Sequence, residues 1–525
     1  MDLDHDACYR ALRTRDVRFD GRLFVAVKTT GIYCRPVCPA RLPRPENVEF
    51  FSTAAAAQEN GYRPCLRCRP ETAPDLAAWH GTSNTVSRAL ALIEMGALDE
   101  GDIAGLAERL GVGARQLHRL FRQHLGASPL AVAQTRRILL AKQLIHETSL
   151  RMSEIAMASG FGSIRRFNET FHALYQRPPG ALRRGSGGSG SPGGEVVVLL
   201  RYRPPYDWPA MISFLRARAI PGVEIVSDEA YARTIDIGDA RGVVHVSPAP
   251  GNALEAKVHF PKLSALPSII ARLRRVFDLA ADPEIIEAHL SEDPLLAALV
   301  ARRPGLRVPG AWDGFELAVR AMLGQQITVA GAINLAGRLV SRHGAPLQPT
   351  VPAGAGLTHA FPRPEVLAAA DLSVVGMPKA RANALSALAA AVALDPKIFG
   401  PRRTLEEAIV QLRKLAGIGE WTAQYIAMRE LREPDAFPAA DIGLLRALAD
   451  PEGRRPSAVE LLARAERWRP WRAYAAQHLW ASHVPAKTNQ VVGAEPVARP
   501  RRSPQAGRQP GFAGASGSQP IGPSR

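Results

Sequence analysis

Four of the five cysteines in this 525-residue chain form two close pairs, Cys34-x3-Cys38 and Cys65-x2-Cys68, with 26 residues between the pairs. Each short loop can present two sulfurs to one ion, and the longer span lets the two loops converge at tetrahedral angles. Disulfides are the alternative, but nothing resembles a signal peptide and no cysteine follows Cys68. The spacing therefore predicts one Zn²⁺ ion bound by four cysteines, with Cys8 as a spare thiol.

The composition predicts a globular, soluble protein with an anionic partner. Hydrophobic residues make up 46% of the chain, and the formal net charge is +17. A net positive charge alone does not show whether the partner is a nucleic acid or an anionic membrane. No apolar run reaches the roughly 18 residues of a membrane span. Nucleic acid is therefore the expected partner, without a membrane.

Two low-complexity segments divide the chain. Residues 185–194 read G-S-G-G-S-G-S-P-G-G, a composition that behaves as flexible coil and implies independent motion of the two halves. Residues 486–525 are rich in Pro, Gly, Ser and Arg and lack apolar periodicity, which predicts a disordered basic tail.

Two helix-turn-helix patterns lie before the linker. Apolar residues at helical spacing flank Gly111-Val112-Gly113, and the same arrangement recurs around Gly160-Phe161-Gly162, with Ile164 opening the second stripe. A plain helical hairpin is the alternative, but two units about fifty residues apart favour DNA binding. The side chains expected to face base edges and phosphates are Arg115, Gln116, Arg119, Arg122, Arg165, Arg166 and Asn168.

Residues 85–184 resemble the AraC-type DNA-binding domain, through A-x-x-x-G-F-x-S-x-x-x-F-N-x-x-F from Ala156 to Phe171. The preceding segment, F-V-A-V-K-T-T-G-I-Y-C-R-P-V-C-P-A-R from Phe24, is similar to the N-terminal domain of the Ada alkylation-response family. That resemblance implies that Cys34 accepts a methyl group from DNA methylphosphotriesters while all four cysteines bind zinc. It further implies DNA-backbone contacts for Thr30, Arg41 and Arg63, whereas Pro39 replaces an arginine of the family.

The chemistry suits such a role for Cys34. A thiolate is the nucleophile, and zinc keeps sulfur deprotonated at neutral pH. Methylation converts the ligand to a thioether and removes one negative charge beside the DNA, so the transfer can act as a switch without turnover. A purely structural zinc site is the alternative.

After the linker, β-branched runs between Val196 and Pro261 predict a small antiparallel sheet, and the remainder is helical. Thr404-x-x-Glu407 is a capping box that opens one helix, and Gly417-Ile418-Gly419 separates that helix from the next. Such a glycine turn can bind a phosphate through backbone N–H groups, although it also serves as an ordinary helix end.

Leu415 to Ala423, followed twenty residues after Trp421 by Asp441, resembles the helix-hairpin-helix DNA glycosylases. Residues 195–482, with P-P-Y-D-W and R-W-R-P-W-R-A-Y-A-A-Q-H-L-W, look like the AlkA alkylbase glycosylases. The resemblance implies that Asp441 stabilises the oxocarbenium-like sugar or activates water; an ordinary helix N-cap is its alternative.

The same resemblance assigns the aromatic residues. Trp421, Tyr425 and Trp480 match positions that line the base pocket, whereas Trp468 and Trp471 are expected in the core. Gln326 stands where a relative inserts a leucine wedge into the duplex.

Three absences from the sequence limit the chemistry. Trp421 replaces the Schiff-base lysine of bifunctional relatives, so no strand-cleaving lyase activity is expected. No cysteine follows Cys68, which excludes an iron–sulfur cluster in the second half. The Pro-Cys-His-Arg motif of the Ada methyltransferase half is missing, which predicts no repair of O6-methylguanine.

These readings together predict a multidomain α+β protein: a small zinc-bound α/β domain, an all-α double helix-turn-helix domain, a small antiparallel-sheet α+β domain and an all-α helix-hairpin-helix glycosylase domain. We expect a monofunctional DNA-3-methyladenine glycosylase that is also a methylation-switched transcriptional activator. Its partners are double-stranded DNA and RNA polymerase, and its location is the bacterial cytoplasm, at the nucleoid. The predicted boundaries are 1–75, 84–184, 185–194, 195–305, 306–483 and 486–525.

Two rival functions remain at this point. In one, the protein is a regulator whose glycosylase half only recognises DNA. In the other, it is a repair enzyme whose helix-turn-helix units only tether it to DNA.

Overall fold

A computed structural model describes residues 4–74, 84–99, 101–183, 195–348, 356–400, 402 and 404–482. The glycine/serine linker and the basic tail predicted from the sequence lie outside these residues. Within the described ranges, none of the helices combines the length and apolar character needed to cross a bilayer.

The first part of the chain is a four-stranded sheet with two helices. The strand order is β3-β1-β2-β4, and only the β2–β4 pair is parallel. The side chain of Thr53 caps the second helix by accepting the N–H of Ala56. The elements are α1 (His5–Thr14), β1 (Phe24–Val27), β2 (Ile32–Cys34), β3 (Val48–Phe51), α2 (Ala54–Glu59) and β4 (Arg63–Pro64).

Six helices follow in the described residues, and four of them, α4 with α5 and α7 with α8, form the two predicted helix-turn-helix units. Asp102 caps the first unit, and Ser163 caps the second helix of the second unit. Ile164 was expected in the apolar stripe, but it is 47% exposed because it begins that helix beyond the packed face. The helices are α3 (Asn84–Glu94), α4 (Ile103–Arg109), α5 (Ala114–Leu125), α6 (Pro129–Glu147), α7 (Met152–Ala158) and α8 (Ile164–Tyr175).

The predicted antiparallel sheet opens the second half. Its strand order is β5-β9-β8-β7-β6, and every neighbouring pair is antiparallel. Two helices pack against its apolar face. The elements are β5 (Glu195–Arg201), α9 (Trp208–Arg216), β6 (Glu224–Val226), β7 (Tyr231–Ile237), β8 (Ala240–Ala249), β9 (Ala253–His259) and α10 (Leu266–Val276).

The remaining described residues form a helical domain around one large apolar core. Thr404 caps its helix by accepting the N–H of Glu407 at 3.1 Å, which is one of the two hydrogen bonds of the predicted capping box. A pair of two-residue strands, Ala345–Pro346 and His359–Ala360, interrupts the helices. The helices are α11 (Pro283–Leu290), α12 (Pro294–Arg302), α13 (Gly314–Leu323), α14 (Val329–His343), α15 (Pro364–Ala369), α16 (Lys379–Leu394), α17 (Leu405–Leu412), α18 (Glu420–Arg429), α19 (Ile442–Ala447), α20 (Ala458–Ala465) and α21 (Arg472–Ala481).

The two halves of the chain pack against each other. One continuous apolar cluster contains side chains from α6, α7 and α8 and from the sheet and α10 of the second half. Arg88 on α3 donates to Glu433 at 2.7 Å, and both side chains are almost fully buried. Arg22 donates to Asp282 at 2.9 Å. The structure therefore differs from the independent motion expected from the linker, because burial of apolar surface holds the halves together.

We expect the joint between the halves to survive a cut in the linker. A protease site placed within residues 185–194 would let the full-length protein fold before it is cleaved. After cleavage, the two fragments should still elute together in size-exclusion chromatography. Arg88→Glu should separate them, because it leaves two carboxylates facing each other in a buried site, at a cost of about 3–5 kcal/mol. Separation of the cleaved wild-type protein would contradict the shared core.

Candidate metal centre and base pocket

The four cysteines predicted to bind zinc lie together in the structure. Cys34 ends β2, Cys38 lies in the loop that follows, and Cys65 and Cys68 come directly after β4. Because β2 and β4 are paired, the two loops leave the same edge of the sheet. The four sulfurs lie within 4.8 Å of one another. Zinc–sulfur bonds of about 2.3 Å in a tetrahedron require such a cluster, so the donor set fits one zinc ion.

The close approach of the four thiols also favours a bound cation. Hydrogen bonds among the sulfurs raise the pKa of Cys34, lower that of Cys65 and lower that of Cys38 to about 7. Sulfurs so close together cannot all ionise without a positive charge between them. Two backbone N–H groups, those of Arg35 and Arg67, donate to Cys68 and Cys65 at 3.3 Å each and favour the thiolates.

The loop after Cys34 is anchored by a residue that the sequence analysis did not single out. The Arg35 guanidinium donates to Asp20 at 2.7 Å and to Thr72 at 2.6 Å. Cys34 is only half-buried, whereas its three partner cysteines are buried. Cys34 is therefore the most exposed residue of the four.

A second contact ties the metal loop to the helix-turn-helix domain. Lys142 on α6 is fully buried and donates to the Cys65 carbonyl at 2.8 Å and to Glu71 at 2.7 Å. Burial lowers the pKa of Lys142, and the Glu71 carboxylate opposes that shift. The sequence offered no signal for it, because a lysine within a long helix is normally solvated.

Lys142→Met should loosen the metal centre. The substitution keeps an unbranched side chain but leaves the Cys65 carbonyl without this donor, and it leaves Glu71 with Arg69 as its remaining partner. Loss of a partner behind a metal ligand typically weakens metal binding by roughly 10- to 100-fold. Competition with a chromophoric chelator measures that affinity. The exposed Lys414 provides the matched control, Lys414→Met. Equal affinities of both variants would contradict a role for Lys142.

The predicted DNA-contact residues of the first half are accessible. Thr30 and Arg41 are exposed, and Arg63 is half-buried in β4. Arg115, Gln116 and Arg119 are exposed on α5, and Arg165, Arg166 and Asn168 are exposed on α8. Arg122 differs from these α5 residues because its guanidinium forms an ion pair with Glu59 of the zinc domain at 2.9 Å. Arg165 pairs with Glu169 along its own helix at 2.8 Å. The DNA contacts of these residues stay predictions.

The predicted glycine turn lies on the surface before α18. Gly417 has a φ of 78°, and a Cβ atom there would come within 2.6 Å of Met322. Gly419 is the N-cap of α18 and has open space around it. The turn thus presents the first N–H groups of a ten-residue helix to the surface, as phosphate binding requires.

Asp441 is held by four donors. Its carboxylate accepts the indole N–H of Trp421 and that of Trp480, each at 2.8 Å. It also accepts the backbone N–H of Gly443 at 2.8 Å and that of Leu444 at 3.1 Å, and so caps α19. The N-cap interpretation of Asp441 is therefore observed, and its catalytic role stays a prediction.

The Asp441 carboxylate lies in the wall of a cavity of about 670 Å³. Trp421, Tyr425 and Trp480 line it as predicted, and the rings of Trp421 and Tyr425 are stacked 5.1 Å apart. The expected core positions are also observed, since Trp468 is 1% and Trp471 is 6% exposed. The cavity has the volume and aromatic walls of a small-molecule or base site.

Two further aromatic residues line this cavity. Phe214 lies on α9 of the smaller α+β domain, and Trp312 lies in the helical domain shortly before α13. Trp312 lies under two guanidiniums, those of Arg233 at 4.7 Å and Arg272 at 5.4 Å. Arg233 in turn pairs with buried Glu316, whose pKa it helps lower to about 2 against the effect of burial. No local motif marked either ring.

Gln326 lies in the loop between α13 and α14. It is exposed and adopts a left-handed backbone conformation with a φ of 59°. The neighbouring Gln325 donates to the Gly417 carbonyl at 2.9 Å, which joins this loop to the glycine turn. Ile327, the next residue, is 40% exposed. The loop is accessible to a duplex, and the wedge role of Gln326 stays a prediction.

Three family models match the chain. They are the metal-binding domain of Ada at residues 7–71, a helix-turn-helix domain at residues 106–185 and the AlkA N-terminal domain at residues 197–313. Together with the four-cysteine cluster and the aspartate-bearing pocket, they define a zinc-containing DNA-binding regulator joined to a DNA glycosylase.

The full-length comparison extends that class to a family. A Mycobacterium tuberculosis protein described as "Probable bifunctional transcriptional activator/DNA repair enzyme AlkA" is 42% identical over 483 residues, which cover 91% of this chain and 96% of the relative. This chain belongs to that family of bifunctional transcriptional activator/DNA repair enzymes.

Other similarities cover one half of the chain. DNA-3-methyladenine glycosylase 2 of Escherichia coli is 38% identical over 291 residues, 54% of this chain and 96% of the relative. The solved structure of a 3-methyladenine DNA glycosylase from Archaeoglobus fulgidus has a TM-score of 0.48 at 23% identity, covering 54% of this chain and 97% of that one.

Proposed function

We propose that the second half hydrolyses the N-glycosidic bonds of alkylated purines such as 3-methyladenine. The observation that carries this proposal is the Asp441 carboxylate, which two pocket tryptophans hold at 2.8 Å beside the glycine turn. The turn binds a DNA phosphate through Gly417 and Gly419, and the target nucleotide leaves the stack to enter the pocket. Gln326, with Ile327 beside it, fills the gap in the duplex.

The pocket then favours departure of the base. The electron-rich faces of Trp421, Tyr425 and Trp480 attract a cationic purine. As the bond between C1′ and the base nitrogen breaks, the Asp441 carboxylate stabilises the positive charge on the sugar, or it orients the attacking water. Trp421 offers no amine for a Schiff base, so the enzyme is monofunctional and leaves an abasic site.

We further propose that Cys34 accepts methyl groups from methylphosphotriesters in DNA. Zinc supplies a thiolate at neutral pH when bound by the four cysteines. The Cys34 sulfur attacks the methyl carbon in line, a carbon–sulfur bond forms, and the carbon–oxygen bond breaks with its electrons on the phosphate. The product is a thioether and an ordinary phosphodiester. Thr30, Arg41 and Arg63 hold the DNA backbone beside the sulfur.

Methylation of Cys34 serves as a switch for DNA binding. It removes one negative charge that faces the backbone, and at ~7 Å with an effective dielectric of ~20 that repulsion is worth roughly 2 kcal/mol. The exposed residues on α5 and α8 then hold promoter DNA more tightly, and the DNA-bound protein recruits RNA polymerase. We place this action in the bacterial cytoplasm, at the nucleoid.

The domains divide these tasks. Residues 1–75 accept the methyl group, residues 84–184 read DNA, residues 195–305 support the pocket, and residues 306–483 excise the base. Residues 185–194 are the linker, and residues 486–525 form a basic tail.

One experiment tests the activities together. The full-length zinc protein is incubated with a duplex that contains both methylated bases and methylphosphotriesters. Chromatography of the supernatant should detect free 3-methyladenine, and the strands should stay uncut until treated with alkali. A DNA-binding regulator without enzymatic activity would release no base. A repair enzyme without a switch would bind its promoter equally before and after methylation.

A further inference from the structure

We propose that Arg88, on α3 of the first half, is a positioning residue for the Asp441 carboxylate of the second half. It acts through Glu433, which lies in the connector between α18 and α19, residues 430–440. This inference rests on the proposed glycosylase function and adds that the rate of excision depends on a helix outside the glycosylase domains.

The connector leads directly to Asp441. The backbone N–H of Asp441 donates to the Pro438 carbonyl at 2.8 Å, and the side chain caps α19. One residue earlier in the connector, the Phe437 N–H donates to the Gln424 side chain on α18 at 3.1 Å. The same helix carries Trp421, one of the two indole donors to the carboxylate. The position of Asp441 relative to α18 therefore depends on the position of the connector.

The connector also contacts the helix that carries the second indole donor. Arg472, the first residue of α21, donates to the Asp435 carboxylate at 2.8 Å. Trp480 lies about two turns further along this helix and donates its indole N–H to Asp441. Both indole donors of Asp441 are thus on helices that are bound to the connector.

The backbone of the connector contains a sharp turn. Arg432 adopts a left-handed conformation with a φ of 57°. This conformation is strained for a residue other than glycine, and it persists where the surrounding contacts fix it. Before the turn, Arg275 of α10 pairs with Glu430 at 2.6 Å. After the turn, Arg88 donates to Glu433 at 2.7 Å. Two ion pairs therefore flank the turn, and one of them comes from the first half.

The contact between α3 and the connector depends on charge more than on apolar packing. The buried apolar side chains of α3 belong to a core shared with α5, and among the described residues that core contains none from the second half. A cavity of about 780 Å³ is lined by residues of both α3 and the connector. Arg88 and Glu433 lie in its wall and are 5% and 4% exposed. Because a carboxylate so deeply buried requires its cation, the ion pair fixes α3 to the connector.

Small displacements of a reacting group have large effects on rate. A shift of about 1 Å caused by a distant substitution can slow a reaction about 100-fold. Without the ion pair, the connector can relax, so that the Asp441 carboxylate is displaced from the sugar without being removed. The chemical step should then slow. DNA binding by the glycine turn should not change, because that turn precedes α18 and lies outside the connector.

The double variant Arg88→Met/Glu433→Gln tests the proposal, because it removes both charges and leaves no unpaired carboxylate in the buried site. Single-turnover release of 3-methyladenine by the full-length protein should slow by about 10- to 100-fold, with wild-type affinity for an abasic duplex. In protein with isotope-labelled tryptophan, the indole N–H resonances of Trp421 and Trp480 should shift, because their hydrogen bonds to Asp441 change. Trp421→Phe and Trp480→Phe assign the two resonances.

The matched control is Arg22→Met. Arg22 pairs with Asp282 at 2.9 Å and so also joins the two halves, but Asp282 directly precedes α11 and lies outside the connector. After the substitution, Asp282 keeps Arg203 as a partner at 3.6 Å. This variant should release base at the wild-type rate and keep both indole resonances. Thermal melting shows that each variant is folded at the assay temperature.

The outcomes separate the possible roles. Slow release by the double variant alone, with shifted indole resonances, supports the positioning role of Arg88. A wild-type rate, or a slow rate with unchanged resonances, overturns it, because Asp441 has then not moved. Equal slowing in Arg22→Met also overturns it, because the effect then belongs to the joint between the halves as a whole. Failure of the wild-type protein to release any base refutes the proposed glycosylase function itself.

Discussion

Asp441→Asn is expected to slow the release of 3-methyladenine by about 100- to 1000-fold, because it removes the negative charge that faces the developing cation on the sugar. Asparagine keeps one oxygen, so it can still cap α19 through the N–H groups of Gly443 and Leu444. Its amide nitrogen, however, cannot accept an indole N–H. Single-turnover excision at saturating enzyme measures the chemical step without substrate binding.

The control for Asp441 is a carboxylate outside the pocket. Asp395 is exposed at the end of α16, and among the described residues its carboxylate accepts only the Lys397 N–H, so Asp395→Asn should release base at the wild-type rate. Thermal melting of both variants and their affinity for an abasic duplex check the fold and the DNA contacts. Equal excision by Asp441→Asn and the wild-type protein would remove Asp441 from the mechanism.

Cys34→Ser is expected to abolish methyl transfer from DNA to the protein, because the serine hydroxyl is a far weaker nucleophile than a zinc-held thiolate at neutral pH. Mass spectrometry of tryptic peptides should find one added methyl group in the wild-type protein, on Cys34. Base release should be unaffected, since Asp441 and its pocket lie in the other half of the chain.

The fifth cysteine provides the control for Cys34. Cys8 is buried on α1, apart from the four-sulfur cluster, and burial raises its pKa, so it is a poor nucleophile. Cys8→Ser should therefore accept methyl groups as the wild-type protein does. Zinc content is measured in both variants, so that loss of the metal is not mistaken for loss of the nucleophile. Methyl transfer that persists in Cys34→Ser would assign the reaction to another residue.

Local patterns predicted the parts of the structure that depend on local chemistry. The spacing of Cys34 and Cys38 predicted a metal-binding loop, because two ligands on one short loop can be recognised without knowing which distant residues pack nearby. Gly417 could be assigned to a tight turn for the same reason, since glycine adopts the φ of 78° found there without strain. The antiparallel sheet of the second half followed from β-branched runs that alternate with polar residues.

Contacts between distant segments could not be predicted in this way. Lys142 is 71 residues from its partner Glu71, and Arg88 is 345 residues from Glu433. Each appears in the sequence as an ordinary charge on a helix, and only the fold brings its partner near. The position of Phe214 in the pocket could not be predicted for the same reason, because α9 precedes the motif-bearing helices by about two hundred residues.

The apolar cluster shared by α6–α8 and the second-half sheet makes the stability of the glycosylase half depend on a domain that supplies no residue to its pocket among the described residues. A substitution that enlarges a cavity around Phe167 or Phe171 would cost about 3–5 kcal/mol. Cellular proteases degrade the unfolded fraction, so such a variant would lower the abundance of the whole chain. A bacterium carrying it would be sensitive to alkylating agents although every residue of the glycosylase pocket is intact.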